Sequence, residues 1–64
     1  MKNKVKKYRE EAGLTQEELA KKAQVSRTTI SDIENNKKIV TTNTTLEKIA
    51  NALNQKTTDV FLLD

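Results

Sequence analysis

The chain contains no cysteine and no histidine. Their absence removes disulfide staples, thiol nucleophiles, imidazole bases and nearly every transition-metal site. Neither a metal nor a cofactor is expected. Proline is also absent and glycine occurs once, whereas Lys, Glu, Ala and Leu are abundant, a composition that suits a helical bundle better than a sheet. No apolar run exceeds the four residues from Val60 to Leu63, so nothing in the sequence spans a bilayer or resembles the apolar stretch of a secretion signal. A cytoplasmic protein with no membrane partner is expected. With 64 residues there is chain for one domain, 1–64, and little room for the enclosed pocket that catalysis by carboxylates or lysines would need. An enzyme and a small-molecule ligand are both disfavoured.

What is present is charge, and it is unevenly placed. Twelve basic against nine acidic residues give a net charge of +3. Residues 1–38 carry +4 and residues 39–64 carry −1, so the basic, partner-facing half is the N-terminal one.

Apolar periodicity divides the chain into five short helices. Val5, Tyr8 and Ala12 recur at helical spacing over 3–12, and Gly13 ends that segment. Thr15 with Glu18 three residues on has the form of a capping box, which opens a second helix over about 16–23 whose apolar face is Leu19, Ala20 and Ala23. Ser26, a favoured N-cap, opens a third helix over about 27–35 after a turn of two or three residues. That helix has two large apolar residues, Ile30 and Ile33. On a helical wheel Arg27, Thr28, Ser31 and Asp32 fall within an arc of about 140°, centred roughly 160° from the isoleucines. One side is an anchor and the other is wholly polar. A fourth helix carries Leu46, Ile49, Ala50 and Leu53, with Thr42, Asn43 or Thr44 as its cap, and Asn54 closes it. A short fifth helix or turn begins near Thr57.

Helix, tight turn and helix across residues 16–35 form a helix-turn-helix pattern. The run Gly13-Leu14-Thr15-Gln16-Glu17-Glu18-Leu19-Ala20, followed by Val25-Ser26-Arg27-Thr28-Thr29-Ile30-Ser31-Asp32-Ile33-Glu34-Asn35, resembles the lambda-repressor-like (Cro/CI-type) DNA-binding family, and the likeness extends from Val5 to Phe61. The resemblance implies an all-α, compact five-helix domain whose helix 3 enters the major groove of double-stranded DNA, usually as a homodimer on a two-fold site. It implies a sequence-specific transcription regulator, a repressor or a controller protein. It places base contacts on Arg27, Thr28 and Asp32, with Ser31 weaker, and phosphate contacts on Gln16, Ser26, Thr29, Asn36, Lys37 and Lys38. It also implies a structural salt bridge between Arg9 and Glu34.

The chemistry of these side chains points the same way. Arg27 is a planar fork able to bond guanine O6 and N7 together, and Thr28 offers a hydroxyl to a base edge and a methyl to thymine. Asp32 is repelled by phosphates, so it either accepts from a cytosine amino group, is held by a neighbouring cation, or only shapes the local field. Gln16 stands beside the free N–H groups of a helix start, where phosphate binds. Lys37 and Lys38 follow helix 3 and suit phosphate contact. Val60, Phe61, Leu62 and Leu63 are more apolar surface than one small domain readily buries, and are expected to form the dimer interface, with Phe61 doubling as a core plug. The competing reading is a protein-binding adaptor built on the same helices. It differs from DNA binding in predicting little loss of affinity with salt.

Gln24 stands where this family usually has glycine, and asparagine takes that place at positions 36 and 54. Gln24 is therefore expected to carry a positive φ at some cost.

Overall fold

The computed structural model describes residues 2–37 and 42–62, with the backbone alone for Lys2 and Leu62. Lys38, the side chain of Leu62 and Leu63 lie outside the described residues. The elements in chain order are β1 (Lys2–Asn3), α1 (Val5–Glu11), α2 (Gln16–Ala23), α3 (Arg27–Glu34), α4 (Asn43–Ala52), α5 (Thr57–Val60) and β2 (Phe61–Leu62). α2 packs chiefly on α3 and α4, so the two helices of the motif share their interface with the rest of the core. Among the described residues, no helix is long and apolar enough to cross a membrane.

Each helix start follows from a local side chain. The Thr15 hydroxyl accepts from the Glu18 N–H at 3.0 Å and the Glu18 carboxylate accepts from the Thr15 N–H at 2.9 Å, completing the capping box of α2. The Thr15 backbone N–H, and after it the Thr15 side chain, hold the Glu18 carboxyl below the usual carboxylate range. A depressed folded pKa makes this cap a contribution present at neutral pH and lost as pH falls through that value. Ser26 caps α3 through the Thr29 N–H at 3.1 Å. For α4 the cap is Thr42, which accepts from the Thr45 N–H at 3.3 Å. The sequence left Thr42, Asn43 and Thr44 open.

The first four helices all end in the same way. Gly13, Gln24, Asn36 and Asn54 have φ of 72°, 59°, 56° and 57°. In each case the N–H of the following residue bonds to the carbonyl five residues back: Leu14 to Arg9, Val25 to Ala20, Lys37 to Asp32 and Gln55 to Ala50. One backbone motif thus satisfies the terminal carbonyls four times over. At Gly13 an added Cβ would meet nothing within 4 Å, so the need for glycine there is conformational and not steric.

Gln24 pays for the same geometry without glycine's freedom. We expect Gln24→Gly to stabilise the fold by about 0.5–1 kcal/mol and to raise the thermal midpoint by about 3–6 °C. Thermal unfolding followed by circular dichroism would show it; an unchanged or lower midpoint would mean that the exposed glutamine makes a compensating contact.

The core consists of Val5, Leu19, Ala20, Ala23, Ile30, Ile33, Ile49, Ala50, Ala52, Leu53, Val60 and Phe61, with Tyr8, Leu14, Val25 and Leu46 packed at its edge. Ile30 and Ile33 are 0% and 2% exposed, so α3 is seated by its two isoleucines.

Three expectations need correction. The first helix starts at Val5 and not at residue 3, because Asn3 is taken up in the ladder with Phe61, and Ala12 lies exposed at its end. The apolar C-terminal run does not continue as helix after Val60: Phe61 and Leu62 turn extended and pair antiparallel with Asn3 and Lys2. Val60 and Phe61, offered as dimer surface, are 0% and 3% exposed and belong to the chain's own core, where Phe61 fills the plug role also expected of it. The N–H of Lys4 donating to the Val60 carbonyl at 2.7 Å closes the same junction between the two ends.

Candidate nucleic-acid interface

The outer flank of α3 is the polar surface that the helical wheel describes. Arg27 and Thr28 are exposed in its first turn, and Ser31 and Asp32 are half-buried one turn on. These four residues and Lys37 line one open cleft of about 290 Å³. The structure therefore brings all four base-reading candidates together with one of the phosphate candidates.

Lys37 reaches this cleft because of the way α3 ends. The positive φ of Asn36 folds the chain back so that the Lys37 N–H bonds to the Asp32 carbonyl at 3.0 Å. Its ammonium then lies 3.8 Å from the Asp32 carboxylate, with the two side chains 67% and 26% exposed. Asp32 thus has the neighbouring cation that makes a carboxylate tolerable on a surface facing phosphates. An exposed pair of this kind contributes little to stability and separates readily. Farther along the flank, the Asn35 amide donates to the Ser31 hydroxyl at 3.3 Å and orients it.

Of the remaining phosphate candidates, Lys38 lies outside the described residues, and the other four are Ser26, Thr29, Asn36 and Gln16. Ser26 and Thr29 share a hydrogen bond between their hydroxyls at 2.8 Å at the start of α3. Asn36 is exposed just past its end. Gln16 stands at the first position of α2, but its Nε2 donates to Glu34 Oε1 at 3.1 Å, so one of its N–H groups is committed inside the protein.

That bond belongs to a cluster at the last residue of α3. Arg9 Nε donates to Glu34 Oε2 at 2.7 Å, Arg9 Nη2 to Glu34 Oε1 at 3.1 Å and Arg9 Nη1 to the Leu14 carbonyl at 2.7 Å. The side chains of Arg9 and Glu34 are 12% and 3% exposed. The hydrogen bond to Glu34 raises the Arg9 pKa further against the opposing effect of burial. The result is a bidentate pair that ties α1, the turn after it and the start of α2 to the last turn of α3. Among the described residues no buried side-chain polar atom is left without a partner.

Two contacts in this region were not read from the sequence. The Gln16–Glu34 bond joins residues 18 apart and leaves no local signature. Asn3 bonds to the end of α3 across 30 residues. Its preference for helix starts was a usable signal, but it was counted within the first helix.

A helix-turn-helix seated by a narrow apolar anchor, with its second helix presenting an Arg-bearing polar flank, defines a class. A helix-turn-helix family model matches residues 5–61, and the chain belongs to that lambda-repressor-like family. Among solved structures the chain is similar to SinR in a SinR protein/SinI protein complex, with 34% identity, a TM-score of 0.79 and coverage of 86% of this chain and 53% of that one. It is also similar to the master regulator for biofilm formation, SinR, in complex with DNA, with 35% identity, a TM-score of 0.78 and coverage of 84% and 86%. The chain spans about half the length of the SinR chain in the SinI complex. No curated protein matches it in sequence.

Proposed function

We propose that the chain is a sequence-specific double-stranded DNA-binding transcription regulator that lays α3 in the major groove and works as a cytoplasmic repressor or controller. The observation that carries this reading is the common cleft of Arg27, Thr28, Ser31, Asp32 and Lys37 on the outside of a helix whose other side is fixed by Ile30 and Ile33. In this role Arg27 takes guanine through two hydrogen bonds, Thr28 adds a softer contact, and Asp32, once Lys37 swings to a phosphate, accepts from a cytosine amino group. Gln16, Ser26, Thr29, Asn36, Lys37 and Lys38 hold the backbone and set the register. The similar SinR chain solved with DNA supports the same partner. No catalytic role is assigned.

The reading includes pairing on a two-fold site. The Cα extents of 28 × 21 × 19 Å are shorter than one turn of B-DNA, about 34 Å, so one copy covers one half-site and a second copy is needed for its symmetric mate. With Val60 and Phe61 buried, the pairing expectation for the C-terminal run rests on Leu62 and Leu63, whose side chains lie outside the described residues.

Selection of bound duplexes from a random pool tests the whole proposal. The expected result is a palindromic consensus with half-sites one helical turn apart and binding that weakens steeply with salt. A salt-insensitive affinity for protein partners and no enriched duplex would sink it. In the same assay Lys37→Ala should weaken all duplexes to a similar degree and reduce the salt slope by about one, because a phosphate contact carries no sequence information.

A further inference from the structure

The turn that follows α3 carries Asn36 and Lys37, yet Asn35, Asn36 and Lys37 are all exposed and no apolar burial holds them. Their backbone bonds run back into α3 itself, from Asn36 to Ile33 and from Lys37 to Asp32. Arg9 and Gln16 hold the last turn of α3 through the Glu34 side chain, but among the described residues a single side chain from outside α3 hydrogen-bonds to the Ile33 carbonyl and to the turn beyond it. The Nδ2 of Asn3 donates to the Ile33 carbonyl at 2.8 Å and, at 3.4 Å, to Asn36 Oδ1.

Asn3 is itself fixed on its other sides. Its Oδ1 accepts from the Val5 N–H at 3.1 Å, where α1 begins. Its backbone pairs with Phe61 in the ladder, and the next residue, Lys4, donates to Val60. Val60 and Phe61 are in turn locked into the core. A path of bonds therefore runs from the buried C-terminal residues, through Asn3, to the end of the helix that presents the reading surface.

We infer that Asn3 is a positioning residue for DNA binding: where the Arg9–Glu34 pair fixes the last turn of α3, the Asn3 amide is a strut that holds the Asn36–Lys37 turn beyond it at a fixed height over the phosphates. This rests on the DNA-binding reading above. A bond of this kind selects one orientation of a turn that otherwise samples several. Its net worth corresponds to a population change of about fivefold. The acceptor end of Asn3 supports folding of α1, whereas the donor end serves the turn, so the two roles are separable by substitution.

Asn3→Asp keeps an acceptor for the Val5 N–H and removes the donor. In this variant, without DNA, amide hydrogen exchange at the Lys37 N–H should be about fivefold faster while the amides of α2 keep their protection. Asn3→Ala removes the donor without changing charge. Measured at a temperature where it is fully folded, it should bind the selected duplex about fivefold more weakly and with a smaller salt slope. A substitution that removes no charge and acts only on stability would leave that slope unchanged. Unaltered exchange at Lys37 overturns the strut. Faster exchange with the affinity and slope of wild type overturns the positioning role. A wild-type chain that enriches no duplex overturns the DNA-binding reading itself, and the exchange measurement, made without DNA, distinguishes that failure from failure of the strut.

Discussion

Glu34→Ala is expected to cost about 3 kcal/mol and to lower the thermal midpoint by at least about 12 °C, the largest stability loss of any single polar substitution in this chain. The Glu34 carboxylate, 3% exposed, receives three N–H donors, two from Arg9 and one from Gln16. Removing it leaves an arginine side chain that is 12% exposed with its Leu14 carbonyl contact and only the weaker influence of Glu10 as counter-charge. An uncompensated buried charge is what makes such a deletion expensive, far more than the net worth of the intact pair. Two controls follow from that asymmetry. Glu34→Gln keeps the volume and one acceptor and should lose only about 1–2 kcal/mol. Arg9→Met combined with Glu34→Leu removes both charges and should recover much of the loss of either single change. Thermal denaturation of the four proteins checks the order. If Glu34→Ala moves the midpoint by less than about 3 °C, the pair behaves as a surface contact and the bonds to Arg9 and Gln16 do not persist in solution.

The same cluster shows what the sequence could and could not say. The resemblance implied the Arg9–Glu34 pair, and the structure contains it with bidentate geometry. Caps were legible because they are local: Thr15 with Glu18 and Ser26 with Thr29 each close within four residues. The isoleucine anchor was legible because two large side chains on an otherwise polar helix leave one seating. The helix ends at Gly13, Asn36 and Asn54 were legible as residues that tolerate positive φ, and Gln24 was placed there by the resemblance, because the family usually has glycine at that position. What escaped were contacts made at long range by ordinary polar residues. The pairing of Asn3 with Phe61 involves strands of two residues, too short for any alternation to register. The run Val60 to Leu63 read as surplus apolar surface, since composition does not reveal that the chain's own N-terminal strand and fourth helix pack against its first half. Gln16 read as a free phosphate donor because its partner lies 18 residues away.

Arg27→Ala should produce the largest functional loss, about 1–3 kcal/mol on the selected duplex, or roughly five- to 150-fold in affinity. Arg27 is exposed at the first position of α3, held from behind by the Ser26 cap, and lines the cleft beside Thr28, Ser31 and Asp32. In the proposed role a guanidinium fork there would meet a base edge in the groove floor, and losing two hydrogen bonds to one guanine would penalise the cognate base pair without altering its neighbours. The variant should therefore tolerate any base at one position of each half-site and keep its preferences elsewhere. Its fold should be unaffected, since Arg27 makes no salt bridge among the described residues and sits outside the core. Affinities of wild type, Arg27→Ala and Lys37→Ala for the consensus and its single-base variants, each at several salt concentrations, separate the two kinds of contact. A base reader flattens one column of that matrix; a phosphate contact lowers every column and reduces the salt slope. Should Arg27→Ala give the second pattern, Arg27 grips the backbone, and base discrimination then has to come from Thr28, Ser31 and Asp32. That arrangement demands more of Asp32, because a carboxylate selects cytosine only after Lys37 has left it for a phosphate, which links reading at one base to the cation 3.8 Å away.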